Sequence, residues 1–173
     1  MKQKIYSLDQ LIPLIAAHRQ VGESIVFTNG CFDLLHIGHV RYLQAAKRLG
    51  DRLVVGINSD QSVRKLSKGT GRPFIPDHQR AEIISALGCV DYVMIFDEAD
   101  PLNLIKAIQP QVLVKGGDWT PDRIVGREFV EERGGAVRSI PLTPDSSTSL
   151  IVQKILATHG VTPTVSDSSH VRS

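Results

Sequence analysis

The sequence has few of the features that would tie it to a membrane, a disulfide scaffold or a nucleic acid. It holds 2 cysteines in 173 residues and no CxxC pair, which excludes a disulfide framework and favours a reducing compartment. No run of about 18 apolar residues could span a bilayer, and the start MKQKIYSLDQ lacks the apolar core of a secretory signal. Its 20 Lys+Arg balance 18 Asp+Glu without a dense basic run, which argues against a nucleic-acid partner. We therefore expect a cytoplasmic protein that binds neither membranes nor nucleic acids.

What the chain does have is a regular alternation of apolar runs and amphipathic helical segments. Hydrophobic residues make up 42% and aromatic residues 5%, so we expect a mostly aliphatic core that needs no disulfide or metal to fold. Strands are predicted at Ile25–Thr28, Leu53–Ile57, Val90–Phe96, Val112–Val114 and Ala136–Ile140. Because these strands are continuously apolar and helices intervene, we predict an α/β fold: a doubly wound, Rossmann-like, five-stranded parallel sheet with helices on both faces.

The domain is predicted to occupy residues 1–156. Within it, residues 1–22 contain an amphipathic helix that packs on the main body, and Ser7 with Gln10 fits a capping box. Residues 157–173 are polar and aperiodic, which predicts a disordered tail.

Polar segments follow the predicted strands, and ligands of open parallel sheets bind at that edge. The sharpest of these segments is His36-Ile37-Gly38-His39, which opens a helix. Backbone N–H groups and the helix dipole favour a phosphate at such a position, and Gly38 lets the phosphate come close. The absence of GxxxxGK[ST] excludes a P-loop, and no GxGxxG follows the first strand.

Three interpretations of the two histidines remain open on the residues alone. They could be ordinary loop histidines with satisfied hydrogen bonds. They could join Cys31 and Asp33 in a zinc site, although HExxH and paired CxxC motifs are absent. They could also donate hydrogen bonds to phosphate oxygens as charge builds up during a transfer reaction. We favour the third and assign no metal ligand.

The segment TNGCFDLLHIGH, together with a Ser/Thr-rich start to the last helix, resembles the HxGH nucleotidyltransferase superfamily. The resemblance runs from about Lys4 to Leu156. Within the superfamily, the sequence is most similar to the heptose 1-phosphate adenylyltransferases. The stretches that carry this finer likeness are NSDQSVRKL, GRPFIPDHQR, VDYVMIFDE, VKGGDW and SSTSL.

That resemblance implies an enzyme that transfers AMP from ATP to D-glycero-D-manno-heptose 1-phosphate. ADP-heptose for the lipopolysaccharide core and pyrophosphate would be the products. The sugar phosphate would attack the α-phosphorus in line, so catalysis would consist of positioning and charge stabilisation. His36 and His39 would act on the transferred phosphate, and Mg²⁺ would accompany ATP. A separate heptose kinase would supply the substrate, and the enzyme would form a homodimer.

The resemblance also assigns further site residues one by one. Residues implied to contact the nucleotide are Thr28, Asn29, Gly30, Cys31, Phe32, Gly38, Arg80, Ser147, Thr148 and Ser149. Residues implied to contact the sugar phosphate are Asp33, Asn58, Asp60, Arg64, Arg72, Gly116, Gly117 and Asp118. Lys115 is placed with the two histidines as catalytic. Structural alternatives stay open for several of these residues: core packing for Phe32, an Asx turn for Asp33, a solvated surface position for Arg80 and simple helix capping for the hydroxyls.

Two other functions fit the same motifs less well. A glycerol 3-phosphate cytidylyltransferase, or another nucleotidyltransferase for a sugar or alcohol phosphate, would carry similar GGDW and SST stretches. A nucleotide-binding sensor without catalysis would not need both histidines.

Overall fold

The computed structural model describes residues 3–66, 71–117 and 123–160. The helices are α1 (Leu8–Gln20), α2 (Ile37–Lys47), α3 (Asp60–Lys65), α4 (Asp77–Ser85), α5 (Leu102–Ile108), α6 (Arg127–Glu131) and α7 (Thr148–Thr158). The strands are β1 (Ile25–Gly30), β2 (Arg52–Asn58), β3 (Tyr92–Phe96), β4 (Val112–Gly116) and β5 (Ala136–Ile140). All five strands pair in parallel in the order β3-β2-β1-β4-β5. The predicted doubly wound sheet is therefore confirmed.

The sheet buries both faces, because alternate side chains of an apolar strand point to opposite sides. Phe27 of β1 and Val54 of β2 lie in one cluster with apolar side chains of α1, α5 and α6. Val26 and Val55 lie in the other cluster, with side chains of α2 and α4. The central strands thus contribute to two cores, which explains their continuous apolar runs, whereas β5 at the edge of the sheet exposes Arg138 and Ser139.

The N-terminal helix begins with the predicted capping box. Ser7 Oγ accepts from the Gln10 backbone N–H at 3.4 Å, and the Gln10 side chain accepts from the Ser7 N–H at 3.1 Å. Leu11 and Ile15 of α1 are buried in the first core cluster, so this helix packs on the sheet.

Several element boundaries differ from the prediction. Strands β1, β2 and β4 continue further than expected, to Gly30, Asn58 and Gly116. The strand expected from Val90 begins at Tyr92. The carboxylate of the preceding Asp91 accepts from the Leu53 N–H at 2.8 Å and pairs with Lys47 at 2.7 Å. Helix α7 continues to Thr158, so the first residues of the predicted tail are helical. The rest of that tail, residues 161–173, lies outside the described residues, and the predicted domain limits stay a prediction.

None of the helices in the described part of the chain has the length and apolar character required to cross a bilayer.

Candidate active site

The candidate site lies where the strand order reverses, between β1 and β4. In a doubly wound sheet this switch point leaves a crevice at the carboxyl ends of the strands. Strand β1 ends at Asn29-Gly30, and β4 ends at Lys115-Gly116. Two cavities of about 360 Å³ and about 450 Å³ adjoin here, and Asn29, Gly30 and Gly116 line both. We call them the first and the second cavity.

His36 and His39 meet at the start of α2, on the wall of the first cavity. His36 is the N-cap residue with an extended backbone, and its carbonyl accepts from the His39 N–H at 2.9 Å. The two rings stack with centroids 3.9 Å apart. Burial, and to a smaller extent the charge on His36, lowers the pKa of His39 to about 4. Burial also lowers the pKa of His36, so both imidazoles are neutral near pH 7.

Ser146 joins this pair, although it was not among the predicted site residues. Its Oγ accepts from the Gly38 N–H at 3.1 Å and lies 3.1 Å from His36 Nδ1. A hydroxyl that accepts from Gly38 can still donate its own hydrogen to Nδ1, and in that arrangement the proton of His36 lies on Nε2. The sequence signal was the hydroxyl run that starts at Ser146, of which only the last three members were assigned.

The start of α7 borders the first cavity with two of its three predicted hydroxyl residues. Ser147 and Thr148 line the cavity, whereas Ser149 is exposed and is not among the lining residues. Ser147 is also the N-cap of α7, since its Oγ accepts from the Leu150 N–H at 3.2 Å. The capping alternative therefore holds for Ser147, and its position on the cavity wall is compatible with a ligand contact as well.

The end of β1 and the loop after it line the first cavity with Asn29, Gly30, Cys31 and Phe32. Phe32 has a φ of +47°, a left-handed conformation that is rare for a bulky residue. Its ring packs at 5.2 Å from the ring of His39, and a Cβ on Gly30 would lie only 3.1 Å from it. Phe32 is thus a buried packing residue, in agreement with the core-packing alternative. The group it packs against is the ring of His39, a candidate catalytic residue.

Thr28 lies deeper than its predicted role requires. It is fully buried, and its hydroxyl pairs with the Tyr42 hydroxyl at 2.6 Å. Tyr42 also donates to the Val114 carbonyl at 3.3 Å, and burial raises the pKa of this phenol. The Thr28 side chain therefore stabilises the junction of β1, β4 and α2 below the cavity.

Asp33 is buried and binds across the chain instead of capping α2. Its Oδ1 accepts from the N–H groups of Phe74 at 2.8 Å and Ile75 at 3.0 Å. Its Oδ2 pairs with Arg72 at 3.4 Å. Arg72 lines the first cavity, as Asp33 does, and its guanidinium lies 5.0 Å from the Phe74 ring centre. Asp33 therefore holds the segment that carries Arg72 against the cavity.

Arg80 requires a correction, because it takes neither of the positions expected from the sequence. It is 1% exposed and does not line the first or the second cavity. Its guanidinium donates to the carbonyls of Cys31 and Ile75 and to the carboxylate of Asp60. With its side chain enclosed and bound in this way, Arg80 has no direct path to a phosphate. Asp60, predicted to contact the sugar phosphate, instead pairs with Arg80 at 2.7 Å.

Part of the predicted sugar phosphate site and the predicted catalytic Lys115 lie together at the second cavity. Asn58, Lys115 and Gly116 line it; the Asn58 amide donates to Ser62 Oγ at 3.0 Å, and the Lys115 ammonium donates to Asn29 Oδ1. Arg123, which the sequence analysis did not single out, also lines this cavity. Lys115 and Arg123 give its wall two cationic side chains.

The remaining predicted residues lie apart from the cavities or cannot be placed. Arg64 is exposed on α3 and lines neither cavity. Gly117 follows β4 with a φ of +107°, a conformation that favours glycine, and its N–H donates to the Ile140 carbonyl at 2.9 Å. Asp118 lies outside the described residues.

The zinc alternative finds no geometric support among the described residues, since no three His, Cys, Asp or Glu side chains there are grouped to hold a metal. The Asp33 carboxylate faces N–H donors, which compete with a cation for its oxygens.

A parallel sheet with helices on both faces and cavities at its switch point is typical of the class of α/β nucleotide-binding domains. The cytidylyltransferase-like family model matches residues 27–166, and the chain belongs to that family.

Relatives and solved structures agree with this placement. The chain is 57% identical over 152 residues to the "Bifunctional protein HldE" of Geotalea uraniireducens, covering 88% of this chain and 31% of that protein. It is 54% identical over 157 residues to the protein of that name from Geobacter sulfurreducens, covering 91% and 32%. The chain thus spans about a third of the length of these curated relatives.

Among solved structures, a lipopolysaccharide core biosynthesis protein from Thermoplasma volcanium superposes with a TM-score of 0.57 at 29% identity. That match covers 70% of this chain and 98% of that one. A pantoate-beta-alanine ligase from Francisella tularensis has a TM-score of 0.59 at 16% identity over 83% of this chain and 69% of its own. At this low identity, the likeness to the ligase shows only that the two chains share a fold.

Proposed function

We propose that this domain transfers AMP from ATP to D-glycero-D-manno-heptose 1-phosphate, forming ADP-heptose and pyrophosphate. The observation that carries the proposal is the stacked His36–His39 pair on the first cavity, next to a second cavity with cationic side chains. A nucleotidyl transfer needs two anionic ligands side by side, with donors at the phosphorus between them. The likeness to HldE proteins and to a lipopolysaccharide core biosynthesis protein supports a heptose phosphate as the acceptor.

In this proposal the triphosphate occupies the first cavity. The N–H groups at the start of α7, with the hydroxyls of Ser147 and Thr148, would bind the β- and γ-phosphates. His36 Nε2–H would donate to the phosphate oxygens on which charge increases in the transition state. The ring of His39, stacked beside it, would supply the second N–H donor.

The sugar phosphate would occupy the second cavity, where Lys115 and Arg123 offer positive charge and Asn58 offers an amide. Its phosphate oxygen would attack the α-phosphorus of ATP in line, and the bond from that phosphorus to the bridging oxygen of pyrophosphate would break. Mg²⁺ would be held by the triphosphate and water and would neutralise the leaving pyrophosphate.

A pyrophosphate-release assay tests the proposal. ATP with heptose 1-phosphate should react, whereas CTP with glycerol 3-phosphate should not. Reaction with the second pair alone would support the cytidylyltransferase alternative, and no release with any nucleotide and sugar or alcohol phosphate would support a sensor. A cytoplasmic location, a homodimer and a separate kinase that supplies the sugar phosphate stay predictions.

A further inference from the structure

The enclosed arginine of α4 connects three segments around the first cavity. Arg80 Nε donates to the Ile75 carbonyl at 2.8 Å, and Nη2 donates to Asp60 Oδ1 at 2.7 Å. Nη1 donates to the Cys31 carbonyl in the loop after β1. A guanidinium has five N–H donors in a rigid plane, so it can serve three acceptors in different directions. The Asp60 carboxylate offsets its charge, which a buried arginine requires.

The hydrogen bond from Arg80 to the Cys31 carbonyl affects the candidate catalytic histidines through Phe32, the residue after Cys31. The Cys31 carbonyl belongs to the peptide group that leads into Phe32, whose φ is +47°. Holding this carbonyl toward Arg80 fixes the orientation of that peptide group. The Phe32 ring is then placed against His39 at 5.2 Å, and His39 stacks on His36.

A second set of contacts holds the same loop from the other side. Asp33, two residues after Cys31, accepts from the N–H groups of Phe74 and Ile75. The carbonyl of Ile75 accepts from Arg80. The loop from Cys31 to Asp33 and the segment at Ile75 are therefore joined twice, once through the Arg80 guanidinium and once directly through the Asp33 carboxylate. A left-handed phenylalanine persists only where its surroundings hold it there.

We propose that Arg80 is a positioning residue for the reaction: through the Cys31 carbonyl it holds Phe32 left-handed and so sets the ring of His39. This inference rests on the proposed function for its kinetic consequences. Arg80 contacts no substrate in this arrangement; it acts through the loop.

The test compares two variants that weaken the same region. Arg80→Lys keeps the positive charge beside Asp60 but loses the planar fork that reaches Cys31 and Ile75 together. Asp77→Ala is the matched control: Asp77 accepts from the N–H groups of Asp60 and His78, so its loss loosens the α3–α4 junction without removing any group that accepts from the Arg80 guanidinium. Both proteins are assayed for pyrophosphate release at a temperature where circular dichroism shows them folded.

We expect Arg80→Lys to lower kcat by about 10²-fold, because small displacements of a reacting group are that costly, with KM for ATP changed by less than about 3-fold. Asp77→Ala should keep kcat near the wild-type value at a comparable loss of Tm. Equal kcat in the two variants at matched Tm would show a merely structural role and overturn the proposal.

A second readout does not depend on activity. NMR of the histidine ring nitrogens at pH 6 should show His39 neutral in the wild type and partly protonated in Arg80→Lys, because a displaced Phe32 exposes its ring. A loss of kcat without any change in the His39 signals would overturn positioning through Phe32. If Arg80→Lys does not fold, Phe32→Leu takes its place and must show both effects. A wild type that releases no pyrophosphate would refute the proposed function, and the NMR comparison would still decide the role of Arg80.

Discussion

The ring of His36 stacks on the ring of His39 with centroids 3.9 Å apart and planes inclined by 29°, and Ser146 Oγ lies 3.1 Å from His36 Nδ1. Two protonated rings would repel each other at this distance. The geometry therefore requires at least one neutral imidazole, and the lowered pKa values of both agree with that. Neutral rings still donate N–H hydrogen bonds, which is what a phosphate site needs from them.

The first prediction concerns the two histidines themselves. His36→Ala and His39→Ala should each reduce the rate of pyrophosphate release by about 10²–10³-fold, the typical cost of removing one donor to developing charge. His78→Ala is the matched control, because His78 is exposed on α4 and lines neither cavity. Wild-type turnover in either active-site variant would remove that histidine from the mechanism.

The second prediction is a pH dependence of stability. The folded protein keeps His39 neutral down to a pKa of about 4, whereas an unfolded histidine takes up a proton near pH 6.5. The unfolded state therefore binds more protons between these values, so this contribution to stability is complete above about pH 6.5 and is lost as the pH falls toward 4. Urea unfolding measured from pH 7.5 to 5 should show the decline in the free energy of unfolding of the wild type. The decline should be smaller in His39→Gln. Parallel curves for the two proteins would contradict the buried position of His39.

The third prediction concerns the space beside Gly38. A Cβ there would lie 3.0 Å from the His36 ring and 3.1 Å from Ser146 Oγ, so the ring or the serine must move. Gly38→Ala should lower kcat by about 10-fold or more through this displacement. The free energy of unfolding should stay within about 1 kcal/mol of the wild-type value, because alanine is favoured over glycine in a helix. Gly88→Ala, where a Cβ meets nothing within 4 Å, should leave kcat unchanged. Normal kcat in Gly38→Ala would mean that the His36 position is not critical.

The fourth prediction tests the serine that the structure adds to the site. Ser146→Ala removes the acceptor of the Gly38 N–H and the partner of His36 Nδ1. We expect a loss of about 1 kcal/mol of stability, as for an ordinary hydrogen bond, together with a clear fall in kcat. The nitrogen shifts of His36 should show a larger share of the Nδ1–H tautomer. Ser85→Ala, which removes an exposed hydroxyl bonded to Glu82, should leave kcat and the His36 signals unaltered. Unchanged tautomer populations in Ser146→Ala would contradict the assigned role.

Much of the site could be predicted from local sequence because its parts lie close together along the chain. His36, Gly38 and His39 belong to one helix start, and Ser147 caps another. The positions of Asn29 and Lys115 at one edge follow from the rule that parallel strands end on the same side. These features depend on strand and helix periodicity, which a single sequence displays.

Arg80, Asp33 and Ser146 could not be placed in the same way. In sequence, an arginine after a glycine-rich loop could equally lie on a solvated surface or bind a phosphate. In the structure Arg80 is buried because it finds acceptors at Cys31, Ile75 and Asp60, and Cys31 is 49 positions away along the chain. The partners of Asp33 lie 41 and 42 positions away, and Ser146 meets His36 across 110 positions.

The sequence by itself determined the doubly wound sheet, the caps of α1 and α7 and the histidine-bearing start of α2, because each arises from spacing within a short window. Only the tertiary structure decided which polar side chains face the cavities and which ones hold the surrounding loops in place through hydrogen bonds. The physical reason is that a buried charge or hydroxyl must find its partners wherever packing brings them. For Arg80 and Asp33 most of those partners are backbone groups, whose position no side-chain pattern reveals.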